Sequence, residues 1–95
     1  MLQYIAQGAC QAIEDAACLA QTLAESGGDY ARAFSAYQAK RHLRTARVQA
    51  TARFFGDYVL HLHGVNAAVR NTVLAARRSD DFSAIDWLYG HDVGV

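Results

Sequence analysis

The stretch of this sequence best suited to chemistry runs from Leu2 to Ala16, where Leu-Gln-Tyr-Ile-Ala-Gln leads through Gly8 into Ala-Cys-Gln-Ala-Ile-Glu-Asp-Ala. It reads as a short loop feeding a helix of good helix formers. Gly8 lets the backbone come close to a neighbour without strain. The first turn of a helix holds N–H groups without intrahelical partners at the positive end of the dipole. A small-residue start of this kind can therefore face a phosphate, a carboxylate or a heterocycle carbonyl. On the residues alone this reading and its plain alternative, a helix start whose glycine avoids a clash, stand about even.

Other chemistry-bearing residues fit structural roles better. Glu14 and Asp15 are adjacent, and neighbours on a helix point about 100° apart, so they do not converge on one substrate atom. The simpler expectation is that one of them pairs with Arg41 or Arg44, which sit in an apolar stripe and need a partner. Arg44→Ala should then destabilise the fold without touching ligand chemistry. His61 and His63 suggest a metal, but residues two apart on a helix face different ways and no ligand cluster accompanies them. His42 and His91 are isolated and read as exposed or interface polar residues. Cys10 and Cys18 stand about two turns apart on one helix, too far for a disulfide across it. Both read as small buried residues in a reducing compartment, with a reactive thiol at Cys10 the lesser alternative. No Ser-His-Asp set, glycine-rich dinucleotide turn or P-loop is present.

These residues need a scaffold, and the composition bounds it. Ninety-five residues make one small domain at most, and 53% hydrophobic with 19% charged residues argues against disorder. Alanine supplies much of that apolar content, so the core should be thin. A net charge of zero without a basic aromatic stripe gives nucleic-acid binding no support. No run approaches the ~20 apolar residues of a spanning helix, and the first residues lack the order of a signal peptide; a cytoplasmic setting is the expectation.

The absence of proline and the helical spacing predict an all-α chain: three main helices and a short C-terminal one, as a hairpin or small bundle. Helix one should run from Gln7 to Ala24 and bury Ala9, Ala12, Ile13, Ala16, Leu19, Ala20 and Leu23. Ser26-Gly27-Gly28-Asp29 is the clearest break, a glycine ending one helix and Asp29 capping the next. Helix two should carry Tyr30, Phe34, Tyr37, Arg41, Arg44, Val48, Ala52 and Phe55 on one face and reach about His61, with Gly56 a potential kink. Helix three should span Val65 to Arg77 and bury Val65, Ala68, Val69, Val73 and Ala76. Asp80 or Asp81 should cap a last helix from Ile85 to Leu88, with a loosely held tail from Gly90 to Val95. Helix two is too long to be covered by helix one. Phe54, Phe55, Tyr58, Phe82, Trp87 and Tyr89 are therefore candidates for an exposed contact surface.

Three motifs in order carry a family resemblance over essentially the whole chain. Gln3-Tyr4-Ile5-Ala6-Gln7-Gly8-Ala9-Cys10 with Ile13-Glu14-Asp15-Ala16 resembles the segment that follows the Gly-Asp-Ala-Ala-His-Pro motif of single-component FAD-dependent aromatic hydroxylases. Tyr37-Gln38-Ala39-Lys40-Arg41 with Arg44-Thr45-Ala46-Arg47, and then Asp86-Trp87-Leu88-Tyr89-Gly90, resemble the hydroxybenzoate and salicylate hydroxylase branch. Met1 falls where the family's motif would end. The resemblance implies that residues 1–95 are one helical segment from the C-terminal part of such an enzyme. It further implies that Gln7, Gly8, Ala9 and Cys10 face the pyrimidine edge of the flavin, and that Gln3 and Tyr4 lie near a phenolic acid substrate. The dinucleotide-binding unit and the motif gripping the ribityl chain are absent. The expectation is therefore FAD and NAD(P)H in the intact enzyme, no FAD bound to this chain alone, and no activity in isolation. Its partners would be the missing N-terminal domains or a second copy of itself; metal, membrane and nucleic acid are not expected. The alternative is a small helical oligomerisation or interaction module without catalysis.

Overall fold

A computed structural model describes residues 2–92, and they form an all-α chain of three main helices and one short one. Helix α1 spans Gly8–Glu25, α2 Tyr30–Phe54, α3 Gly64–Ala75 and α4 Asp86–Tyr89. A 3₁₀ turn at Gln3–Ile5 precedes α1, and a π-helical segment at Phe55–Leu60 extends α2. The expected tail beyond Asp92, and the position of Met1, lie outside the described residues.

The break between α1 and α2 follows the expected chemistry. Gly27 and Gly28 adopt φ of 57° and 95°, a region that costs residues with a Cβ. Asp29 then caps α2, its Oδ1 accepting from the N–H of Arg32 at 3.1 Å. The two helices fold back into a hairpin that covers only part of α2. The molecule is therefore long, 57 × 25 × 18 Å. Its radius of gyration of 17.4 Å exceeds the roughly 12 Å of a compact chain of this size.

The rotation of α1 differs from the expectation. Gln11, Cys18 and Thr22 are buried on it, with Glu14 and Asp15 half-buried between them, whereas Ala9, Ala12, Ala16 and Ala20 are exposed and Ile13 is 71% exposed. The physical reason lies on α2. Arg41 is buried there and Arg44 nearly so, and a guanidinium out of water needs acceptors, which the polar side of α1 supplies. An alanine stripe has little transfer free energy with which to compete. This rotation also corrects the reading of Cys10, which is exposed while Cys18 is buried.

On α2, Ala33, Val48 and Ala52 are fully buried, but Tyr30 and Phe34 at its start are exposed. Helix α1 ends at Glu25 and cannot cover both sides of that first turn. The expected buried face of α3 is likewise open: no residue of α3 is buried, and Val65, Val69 and Val73 are 79%, 60% and 67% exposed. The amphipathic spacing is real, but no described element lies against it. Neither Asp80 nor Asp81 caps α4; Ile85 holds the N-cap position, and Asp81 Oδ1 accepts from the N–H and hydroxyl of Ser83 instead.

Candidate functional site

Helix α1 begins without a side-chain cap. Gln7 occupies the N-cap position in a helical conformation, and its side chain accepts from none of the first-turn N–H groups. The first backbone bond is Gln11 N–H to Gln7 O at 2.8 Å, and among the described residues the N–H groups of Gly8, Ala9 and Cys10 meet no acceptor. All three residues are exposed, and a Cβ built on Gly8 would meet nothing within 4 Å. A row of free amides at a positive helix end, with open space before it, is suited to an electron-rich ligand edge.

The turn ahead of this row is tightly specified. Ala6 has φ 52° and ψ 40°, the left-handed region, and is the one non-glycine residue at positive φ among the described residues. Its N–H closes the 3₁₀ turn on Gln3 O at 2.9 Å. Such a residue persists where its surroundings over-determine it. Tyr4 supplies part of that constraint. Its ring lies on Gly56, where a Cβ would stand 2.4 Å from the ring, and meets the His61 ring edge-on at 5.2 Å. The potential kink at Gly56 is thus the seat of a close approach, inside a π-helical segment that widens the helix there. Gln3 is exposed beside this turn, whereas Tyr4 is half-buried.

Behind α1 stands a charged cluster richer than the single pair expected. Arg41 Nε donates to Asp15 Oδ1 at 2.7 Å, while its Nη2 donates to Gln11 Oε1 at 2.7 Å and to Glu14 Oε2 at 3.3 Å. Arg44 grips Glu14 with both prongs, Nη2 to Oε1 at 2.8 Å and Nε to Oε2 at 3.1 Å. The same Arg44 donates to the carbonyls of Trp87 at 2.8 Å and Leu88 at 3.1 Å, fastening α4 to the hairpin. Arg47 lies 3.9 Å from the centre of the Trp87 ring. Burial pushes the Glu14 carboxyl up, but the hydrogen bond and charge of Arg44, with Arg41 and His91 nearby, outweigh it and hold Glu14 below its ordinary value.

Sequence reasoning found Glu14, Asp15, Arg41 and Arg44 and missed Gln11, whose signal was its spacing of four from Gln7. It also missed Arg47 and the role of Trp87. The aromatic residues flagged as a surface are partly gathered: Phe54, Phe55, Tyr58, Trp87 and Tyr89 line one open cavity of about 690 Å³ with Tyr4, while Phe82 stands apart and exposed. His61 and His63 are not brought together with other ligand types, and no group of three metal-ligating side chains occurs among the described residues. No helix among them is long and apolar enough to cross a membrane.

The chain is related over nearly its whole length to aromatic hydroxylases and corresponds to a C-terminal segment of such an enzyme. In particular, it is 44% identical over 92 residues to 3-hydroxybenzoate 6-hydroxylase 2 of Aquipseudomonas alcaligenes, covering 96% of the chain and 28% of that enzyme. Identity to 3-hydroxybenzoate 6-hydroxylase of Klebsiella oxytoca is 46% over 89 residues, 93% of the chain and 22% of the enzyme. For the enzyme of that name in Polaromonas naphthalenivorans it is 42% over 93 residues, 97% of the chain and 23% of the enzyme. The chain thus spans about a quarter of the length of these curated relatives. No protein-family model matches it, and no solved structure does.

Proposed function

We propose that this chain is the helical C-terminal part of a flavin-dependent monooxygenase that hydroxylates a phenolic acid with NAD(P)H and O2. The observation that carries the reading is the uncapped start of α1 within a segment at least 42% identical to three 3-hydroxybenzoate 6-hydroxylases. The donor set fits the pyrimidine edge of FAD. The amides of Gly8, Ala9 and Cys10, positioned by Gln7, would hold negative charge on that edge through fixed dipoles that need no rearrangement. When bound, FAD would supply hydride acceptance from NAD(P)H and reaction with oxygen. Gln3, exposed beside the turn, would hydrogen-bond the substrate hydroxyl, and Tyr4 would shape the wall next to it.

A few amides cannot hold a dinucleotide cofactor by themselves, and a hairpin encloses no water-excluded chamber. The isolated chain is therefore expected to be inactive, as part of a cytoplasmic enzyme whose N-terminal domains complete the site. Two measurements test this. The chain mixed with FAD, NAD(P)H and 3-hydroxybenzoate should show no substrate-dependent oxygen uptake. Exchanged for the matching segment of the Polaromonas enzyme, it should support such uptake with flavin bound. A folded, flavin-loaded chimera that never turns over would refute the reading.

The exposed apolar side of α3 supports a second reading, a non-catalytic helical module that assembles with a copy of itself. Sedimentation at micromolar concentration separates the two, since a well-folded monomer contradicts self-assembly.

A further inference from the structure

The start of α1 is joined to the charged cluster by a chain of side-chain hydrogen bonds. Arg41 Nη2 donates to Gln11 Oε1 at 2.7 Å, and Gln11 Nε2 donates to Gln7 Oε1 at 3.1 Å. Gln7, Gln11 and Arg41 are all buried, at 6%, 3% and 6% exposure, although α1 is exposed on its opposite side. An amide pair so placed is costly unless it is hydrogen-bonded, as this one is. Gln7 is also the residue between the left-handed Ala6 and the free amides of Gly8, Ala9 and Cys10. Its buried side chain joins that turn to the helix seam through Gln11. Tyr4, packed on Gly56, pins the turn from the other end.

We propose that Arg41 is a positioning residue for the start of α1, acting through Gln11 on Gln7 and so fixing the direction of the amide row. That this row faces a flavin rests on the functional reading above; that Arg41 aims it does not. The guanidinium is suited to the task. Its Nε is anchored on Asp15 at 2.7 Å, so the planar group is fixed before Nη2 reaches Gln11. Gln11 then presents one amide face to Arg41 and the other to Gln7, a geometry that a shorter or apolar side chain cannot reproduce.

The test cuts the chain of bonds at its middle and leaves the ion pairs intact. In Gln11→Met, which keeps the volume, native-state hydrogen exchange should quicken about tenfold at the N–H groups of Ala6 and Gln11. Those of Asp29 and Ala33, at the far end of the hairpin, should be unchanged. In Gln11→Glu a carboxylate can still accept from Arg41 and from a turned Gln7 amide, so protection should return to near the original. Equal acceleration at all four amides, or none at Ala6 and Gln11, would overturn the proposal. In the Polaromonas chimera carrying Gln11→Met, FAD affinity should fall about tenfold and the flavin absorption band should shift, both restored by Gln11→Glu. If the unsubstituted chimera folds yet binds no flavin, the functional reading falls. The exchange experiment still decides the role of Arg41 when repeated with Arg41→Lys, which keeps the charge near Glu14 and Asp15 but not the fork. Quickening at Ala6 and Gln11 but not at Asp29 and Ala33 is expected, and no quickening at the first pair overturns the proposal.

Discussion

Replacing Arg44 by alanine removes four hydrogen bonds at once, two to Glu14 and one each to the carbonyls of Trp87 and Leu88. The side chains of Arg44 and Glu14 are 12% and 15% exposed, so the pair is largely out of water and the small values typical of surface ion pairs do not apply. Removing one partner of a buried pair costs about 3–5 kcal/mol, chiefly because the other charge is stranded. Here Glu14 keeps Arg41 at 3.3 Å, which places the expected loss near the lower figure, about 3 kcal/mol. A chain of this length has on the order of 5–14 kcal/mol in total, so the loss is a large share. Urea unfolding followed by far-ultraviolet circular dichroism measures it. Trp87, the single tryptophan, adds a local report, since its carbonyl is held by Arg44 and its ring by Arg47. Its emission should shift to the red in Arg44→Ala at urea concentrations where the helical signal is still intact, as α4 detaches first. A double-mutant cycle with Glu14→Gln should return a coupling of about 1–3 kcal/mol. A loss below about 1 kcal/mol, with Trp87 emission unchanged, would refute the reasoning that α4 is fastened through this cluster.

Acid should loosen the same cluster. Glu14 is held below its ordinary 4.5 in the folded chain, so its contribution is complete above that value and disappears as pH falls through the lowered one. Unfolding free energy measured from pH 6 to pH 2 should drop in this window, and Glu14→Gln should flatten the slope. Gly56→Ala places a Cβ against the Tyr4 ring where no room exists. It should cost about 1–3 kcal/mol, and the His61 ring signals in proton NMR should move as the ring contact with Tyr4 is lost. Alkylation by a maleimide under native conditions, read by mass spectrometry, should modify Cys10 promptly and Cys18 only on unfolding.

The hairpin was legible in the sequence because its signals are local. Ser26-Gly27-Gly28-Asp29 carries two residues suited to positive φ and a capping carboxylate, and each does the job its chemistry suggests. The pairing of Glu14 and Asp15 with Arg41 and Arg44 was legible by a different route, since arginines inside an apolar stripe must find acceptors. The facing of α1 was not legible, because a stripe of alanines looks apolar in a periodicity count yet gains little on burial: each methyl is worth only about 0.8 kcal/mol. Two guanidiniums outweighed it and turned the polar side inward. For α3 the spacing of Val65, Val69 and Val73 gave the helix correctly but could not say that its apolar side stays exposed among the described residues. Gly56 marked the place where α2 changes, but neither the π-helical form nor the contact with Tyr4, 52 positions away in the chain, was legible locally. Of the candidate site, the glycine-led helix start was readable. The buried glutamines behind it were not, because glutamine is usually a surface residue.

A seam made of hydrogen bonds also fixes how α1 and α2 stand lengthwise. Apolar ridges can slide by a turn and find new neighbours of much the same worth, but a guanidinium gripping a carboxylate cannot. Sliding α1 by one turn would carry Glu14 about 5.4 Å along α2, out of reach of an Arg44 whose bonds to it are 2.8 and 3.1 Å. Gln11 and Asp15, one turn apart on α1, would not both keep Arg41: one would take the other's place and the second would be carried out of reach. The two helices therefore share one longitudinal setting, like a key cut to one depth. The distance between the open amides at the head of α1 and the tryptophan of α4 becomes a built-in length of the molecule.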